Sequence, residues 1–137
     1  SRQVRGAGWA GVEAGGSRCC GRPDLRPAPG EVPQVTLVDG FEAALGGADV
    51  SMMWRVQKER IECVTGCDEA DYFGHYGLTR ARLARARSDA IVMHPGPMNR
   101  GIEIASEVAD GPQSVILDQV ANGIFVRMAV LAELLGR

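Results

Sequence analysis

Two short stretches hold the residue types from which chemistry could be built. His94-Pro95-Gly96-Pro97-Met98-Asn99-Arg100-Gly101 follows directly on the apolar run Ala90-Ile91-Val92-Met93. Prolines fix φ and lack an amide donor, so Pro95 and Pro97 leave rigid carbonyls as acceptors. Gly96 lets a ligand approach the backbone closely, and a Gly-Pro bond is open to the cis form. Such a corner offers a stiff rim of acceptors to a ligand that carries N–H groups, although a merely rigid turn uses the same residues. The second stretch is Arg55-Val56-Gln57-Lys58-Glu59-Arg60, which follows Val50-Ser51-Met52-Met53-Trp54. Arg55 and Gln57, two positions apart, point the same way if the extended geometry continues. A guanidinium fork beside an amide suits a small carboxylate; alone, so polar a cluster is more often a solvated loop.

These corners need elements to hold them. Residues 35–38, 50–54 and 90–93 read as short, nearly continuous apolar strands. Phe41-Glu42-Ala43-Ala44-Leu45 reads as a brief helix stopped by Gly46-Gly47, and residues 78–87 as another. Apolar strands alternating with helices predict an α/β fold, a three-layer sandwich whose mainly parallel sheet is covered on both faces. In such sheets ligands collect beyond the C-terminal strand ends, where both corners would lie. Leu117, Val120, Ile124, Met128, Leu131 and Leu135 recur at three- and four-residue steps, so the last helix carries an apolar stripe that needs a partner surface.

Other readings are weaker. With 137 residues the chain suits one domain, and a net charge of -2 provides no global field for nucleic acid or anionic membrane. Arg80, Arg82, Arg85 and Arg87 scatter around a helix, as on a solvated, salt-bridged surface. No run approaches the ~20 apolar residues of a membrane span, and SRQVRGAGWAG lacks the apolar core of a secretory signal. Cys19, Cys20, Cys63 and Cys67 lack the spacing of a zinc site and read as reduced thiols of a cytoplasmic protein, with no metal. Gly6-Ala7-Gly8-Trp9-Ala10-Gly11 matches a dinucleotide fingerprint without the strand and helix which that chemistry requires. The first thirty residues hold seven glycines and three prolines but only Val4, Val12 and Leu25 as large aliphatics. Neither apolar period fits them, and they read as poorly ordered or as structure the sequence no longer specifies.

"ADVSMMWRVQKER" (48–60), "YFGHYGLTRARL" (72–83) and the run 89–136 opening "DAIVMHPGPMNRGIEI" resemble the aspartate-binding half of the aspartate carbamoyltransferase catalytic chain, within the aspartate/ornithine carbamoyltransferase family. The resemblance covers about two thirds of the chain, and HPGPxNRG is its specific motif. Ornithine carbamoyltransferases typically carry cysteine where Pro95 stands. The resemblance implies a Rossmann-like sheet, Arg55 on the carboxylate of L-aspartate with Gln57 assisting, and main-chain contacts from Pro95, Gly96 and Pro97 to carbamoyl phosphate. It implies no cofactor, no covalent enzyme intermediate, a cytoplasmic location and a homotrimer in the complete enzyme. His94 is expected to anchor its loop, Arg100 to be structural, and His75 carries no functional expectation. The S-T-R-T phosphate loop of the family's first domain does not occur here, so these residues look like the C-terminal part only, inactive alone. The resemblance starts near Val35, which sets an atypical segment 1–33, explained by a shifted reading frame, against a domain 34–137. Arg2 alone echoes a further aspartate-binding arginine. Alternatives are a non-catalytic assembly partner of the same fold and a carbamoyltransferase that uses another amine.

Overall fold

In a computed structural model, residues 9–13, 16–21, 35–57 and 68–136 are described. Strands β1 (Trp9–Glu13), β2 (Gly16–Cys19) and β3 (Val35–Leu37) lead into helix α1 (Phe41–Leu45) and strand β4 (Val50–Met52). Helices α2 (Glu69–Tyr76) and α3 (Arg80–Leu83), strand β5 (Ile91–Met93), and helices α4 (Ser106–Ala109) and α5 (Ile116–Leu134) complete the order. Lys58, Glu59, Arg60, Cys63, Cys67, Arg2 and the first half of the glycine motif lie outside the described residues; Trp9 to Gly11 of that motif fall in β1.

The sheet runs β3-β2-β1-β4-β5. Pairs β2–β3 and β4–β5 are parallel, whereas β1 runs antiparallel to both neighbours. The sheet is therefore mixed among the described residues, where a mainly parallel one was expected. The reason is chain length: two residues separate Glu13 from Gly16, far fewer than the dozen or so a parallel crossover needs. β1 and β2 also fall where no apolar period could be found, because a backbone ladder does not require one.

The core packs Phe41, Ala44 and Leu45 of α1 against Met53, Leu78, Val92, Ile104 and Ile116. Tyr72, Val56 and Ile102 form a smaller cluster beside it. α2 is capped at its start by Asp68, which accepts from the Asp71 amide. At its other end Arg82 donates to the carbonyls of Phe73, Gly74 and Gly77, lies over the Phe41 ring and pairs with Glu42. That guanidinium satisfies carbonyls that a helix end leaves open. It therefore has a structural task, unlike the solvated arginine expected from the sequence. The helix expected over 78–87 is only four residues long, since the chain turns at 84–86 to bring Ala86 onto the core.

α5 differs from everything else. Ile116 alone is buried, while Leu117, Ile124, Phe125, Met128, Leu131 and Leu135 are each more than half exposed. The stripe read from the sequence exists, but no described residue covers it. Leu45→Ala should lower unfolding free energy by about 3 kcal/mol, and Leu131→Ala by less than about 0.5 kcal/mol, as read from urea midpoints. A second expectation concerns pH. Arg100 grips Asp110 with two bonds of 2.6 and 2.8 Å. Those bonds first, and the positive charge with them, hold the Asp110 carboxyl below the ordinary aspartate range. A lowered folded value means that this exposed pair stabilises above the unfolded pKa and is lost as pH falls through the folded one. In Arg100→Ala, NMR titration should show the Asp110 midpoint moving up to the ordinary range.

Candidate functional site

The rim beyond β4 and β5 is fixed by their pairing. The two strands run parallel with Met52 opposite Met93, and the Met53 amide extends the ladder by donating to the Met93 carbonyl at 3.0 Å. Whatever follows each strand must leave the sheet at the same edge. Arg55 and Gln57 follow one; His94, Pro95, Gly96 and Pro97 follow the other. Arg55, Gln57, Pro95 and Pro97 are exposed, Gly96 is half-buried, and the two corners touch: Asn99 Nδ2 donates to the Val56 carbonyl at 2.8 Å. The structure thus brings all five sequence-predicted site residues to one edge.

The proline loop is held from beneath. His94 is fully buried. Its backbone N–H donates to Gln119 Oε1 of α5 at 2.9 Å, and its ring Nδ1 accepts the Gly96 N–H at 2.9 Å. An Nδ1 that accepts leaves the proton on Nε2, which donates to Glu103 Oε1 at 3.2 Å. The same carboxylate oxygen accepts the Asn99 amide at 2.5 Å. Glu103 is as buried as His94, and its Oε2 has no hydrogen-bond partner among the described residues. His94 is therefore an anchor, as expected, with its ring saturated on both sides. Gly96 sits at φ 64°, in the left-handed region that glycine enters without strain, and the Gly96-Pro97 bond is cis.

What faces outward is simple. The carbonyls of Pro95, Gly96 and Pro97 accept no hydrogen bond among the described residues, while the Gly96 N–H is spent on His94. Arg55 makes no ion pair or hydrogen bond among the described residues. The edge thus presents a guanidinium and an amide on one side, and rigid acceptors on the other. It can hold a carboxylate by charge and an N–H group by carbonyls. Arg100 is bound to Asp110 and takes no part, and His75 bonds within α2, to Asp71. A separate groove lined by Glu42, Phe73, Thr79, Arg82 and Arg85 has its chief cation, Arg82, already committed to α2.

Sequence reasoning missed Glu103 and Gln119. In Ile102-Glu103-Ile104 a carboxylate between two isoleucines reads as pointing outward by alternation. The tight turn at 101–103 instead sends all three side chains inward. The only available signal was a charge isolated in an apolar context.

The aspartate/ornithine carbamoyltransferase Asp/Orn binding domain matches residues 28–134. An aspartate carbamoyltransferase catalytic subunit of Xylella fastidiosa (strain Temecula1 / ATCC 700964) is 54% identical over 123 residues, which are 90% of this chain and 38% of that protein. The corresponding subunit of Xanthomonas campestris pv. campestris (strain B100) is 53% identical over 90% of this chain and 39% of its own length. The chain therefore spans about two fifths of the length of these curated relatives. Among solved structures, ornithine carbamoyltransferase from Burkholderia thailandensis E264 superposes with a TM-score of 0.60 at 28% identity, covering 80% of this chain and 33% of that one. Aspartate transcarbamoylase from Trypanosoma cruzi in complex with carbamoyl phosphate superposes with a TM-score of 0.58 at 28% identity, covering 71% and 30%. A domain match over 28–134, on a rim that pairs a guanidinium with proline-braced carbonyls, places this chain in the aspartate/ornithine carbamoyltransferase family.

Proposed function

We propose that residues 34–137 are the aspartate-binding part of an aspartate carbamoyltransferase, which transfers the carbamoyl group of carbamoyl phosphate to L-aspartate in pyrimidine biosynthesis. Arg55 pairs with a carboxylate of L-aspartate, and the Gln57 amide assists. The carbonyls of Pro95, Gly96 and Pro97 accept N–H bonds from the carbamoyl amide. The aspartate α-amine then attacks the carbamoyl carbon; the bond from that carbon to the phosphate oxygen breaks, phosphate leaves and the amine loses a proton. This is catalysis by positioning and electrostatics, with no cofactor drawn upon.

The observation that carries the reading is the shared rim, where Arg55 and residues 95–97 follow the ends of adjacent parallel strands and their loops are tied by Asn99. The 53 to 54% identity to aspartate carbamoyltransferase subunits favours L-aspartate over another amine. In the complete enzyme we expect a three-layer sandwich for this half, a separate carbamoyl-phosphate domain against the bare face of α5, a homotrimer and a cytoplasmic location. Residues 1–33 remain an atypical segment; coding DNA in which no one- or two-base shift restores an apolar strand–helix pattern upstream of Val35 would remove the frameshift explanation.

Alone, this chain offers only half of the chemistry, because the described rim supplies no cation for the departing phosphate. The purified 137-residue chain should give no N-carbamoyl-L-aspartate. Joined to the N-terminal part of the Xylella fastidiosa relative it should turn over, and Arg55→Ala should then lower kcat/KM for L-aspartate about 100-fold. Turnover by the lone chain would overturn the half-site, and a folded but inactive joined wild type would overturn the assignment.

A further inference from the structure

Asn99 occupies a place that the substrate assignments leave unused. It belongs to the loop after β5, yet its side chain reaches the loop after β4 and donates to the carbonyl of Val56, between Arg55 and Gln57. Its own backbone N–H ends on Glu103 Oε1, the oxygen that also takes the His94 ring N–H. A continuous path thus runs from the Gly96 N–H through His94, Glu103 and Asn99 to the backbone between the two exposed side chains Arg55 and Gln57. For residues 55–57, the Asn99 bond is the one hydrogen bond to the second loop among the described residues.

We propose that Asn99 is a positioning residue: it latches the 55–57 corner to the proline loop, and so sets the spacing between the group that binds the carboxylate and the carbonyls that face the N–H donor. The latch itself is independent of the ligand; its consequence for L-aspartate rests on the function proposed above. Reacting groups must meet at ~3 Å, and a corner free to drift by an ångström forfeits much of that alignment. An asparagine amide suits the task because it donates to a carbonyl without placing a charge beside Arg55.

The chain as it stands permits the test. Asn99 lies outside the left-handed region, where no described non-glycine residue is found, so Asn99→Ala adds no backbone strain there. Asn99→Asp keeps the size and turns a donor into an acceptor facing the Val56 carbonyl. Arg100→Ala, which removes the neighbouring ion pair with Asp110, controls for a loss that is only structural. Amide exchange by NMR at Arg55, Val56 and Gln57 should quicken about tenfold in both Asn99 variants and stay at wild-type rates in Arg100→Ala. L-Aspartate affinity, titrated on the joined enzyme, should fall about 3- to 10-fold with the Asn99 variants alone. Unchanged exchange in both Asn99 variants, or the same losses in Arg100→Ala, would overturn the latch. If wild type takes up no L-aspartate, the substrate reading falls, while the exchange rates still decide whether Asn99 couples the loops.

Discussion

The candidate rim depends on one register, Met52 opposite Met93 in a parallel pair. Antiparallel neighbours would send the two following loops to opposite edges. Parallel pairing sends them to one, about 4.8 Å apart where they leave the sheet, close enough for one small ligand to touch both. The rest of the described fold keeps that pair in place. Met53 and Val92 are buried among side chains from α1, Leu78 and Ile104. Beyond β5 the Val92 backbone is bonded on its other edge by Gln113 and Val115, so the residues leading into α5 close the sheet where the loop begins.

The second constraint is electrostatic. His94 and Glu103 are buried polar groups in a region packed with aliphatic side chains, and such groups are costly unless bonded. Here each bond has a geometric purpose. Two donors, a ring N–H and a backbone N–H, meet on one carboxylate oxygen, and the histidine's opposite nitrogen receives the Gly96 N–H. Removing any partner would strand another in a dry environment, so the loop tolerates few alternative shapes. Rigidity at this corner thus comes from two sources: prolines that restrict φ from within, and a buried acceptor that fixes both ends from below.

The sequence made the local part of this legible and hid the rest. Strands β3, β4 and β5 and helix α1 follow apolar runs closed by turn residues, and each lies within a residue or two of its expected place. The site corners were visible because proline, glycine and arginine act through their own geometry and charge. Three features were not visible, for separate reasons. Glu103 bonds to a residue nine positions away, beyond any local period. Arg82 looked like one more surface charge, since the carbonyls it serves become available only when α2 ends at Gly77. The direction of β1 is set by the short link to β2, and a glycine-rich stretch without apolar alternation carries no sign of that pairing.

The exposed face of α5 and the incompleteness of the rim have a common physical logic. Single exposed apolar side chains are ordinary, but a helix with more than half of Leu117, Ile124, Phe125, Met128, Leu131 and Leu135 in water is a contiguous patch, which normally marks an interface. The same helix begins at the site: Gln119 holds the His94 amide, and Val120 Cγ2 would lie 3.9 Å from a side chain placed on Gly96. A body seated along α5 would therefore adjoin the carbonyls of residues 95–97. The described rim is strong in acceptors and carries Arg55; in the function proposed above, carbamoyl transfer would also build negative charge on a carbonyl oxygen and on phosphate. In that proposal, donors and cations for that charge come to the same edge from outside the described residues. The helix that no described residue covers and the rim, where Arg55 is assigned to the carboxylate, thus point to the same side of the molecule.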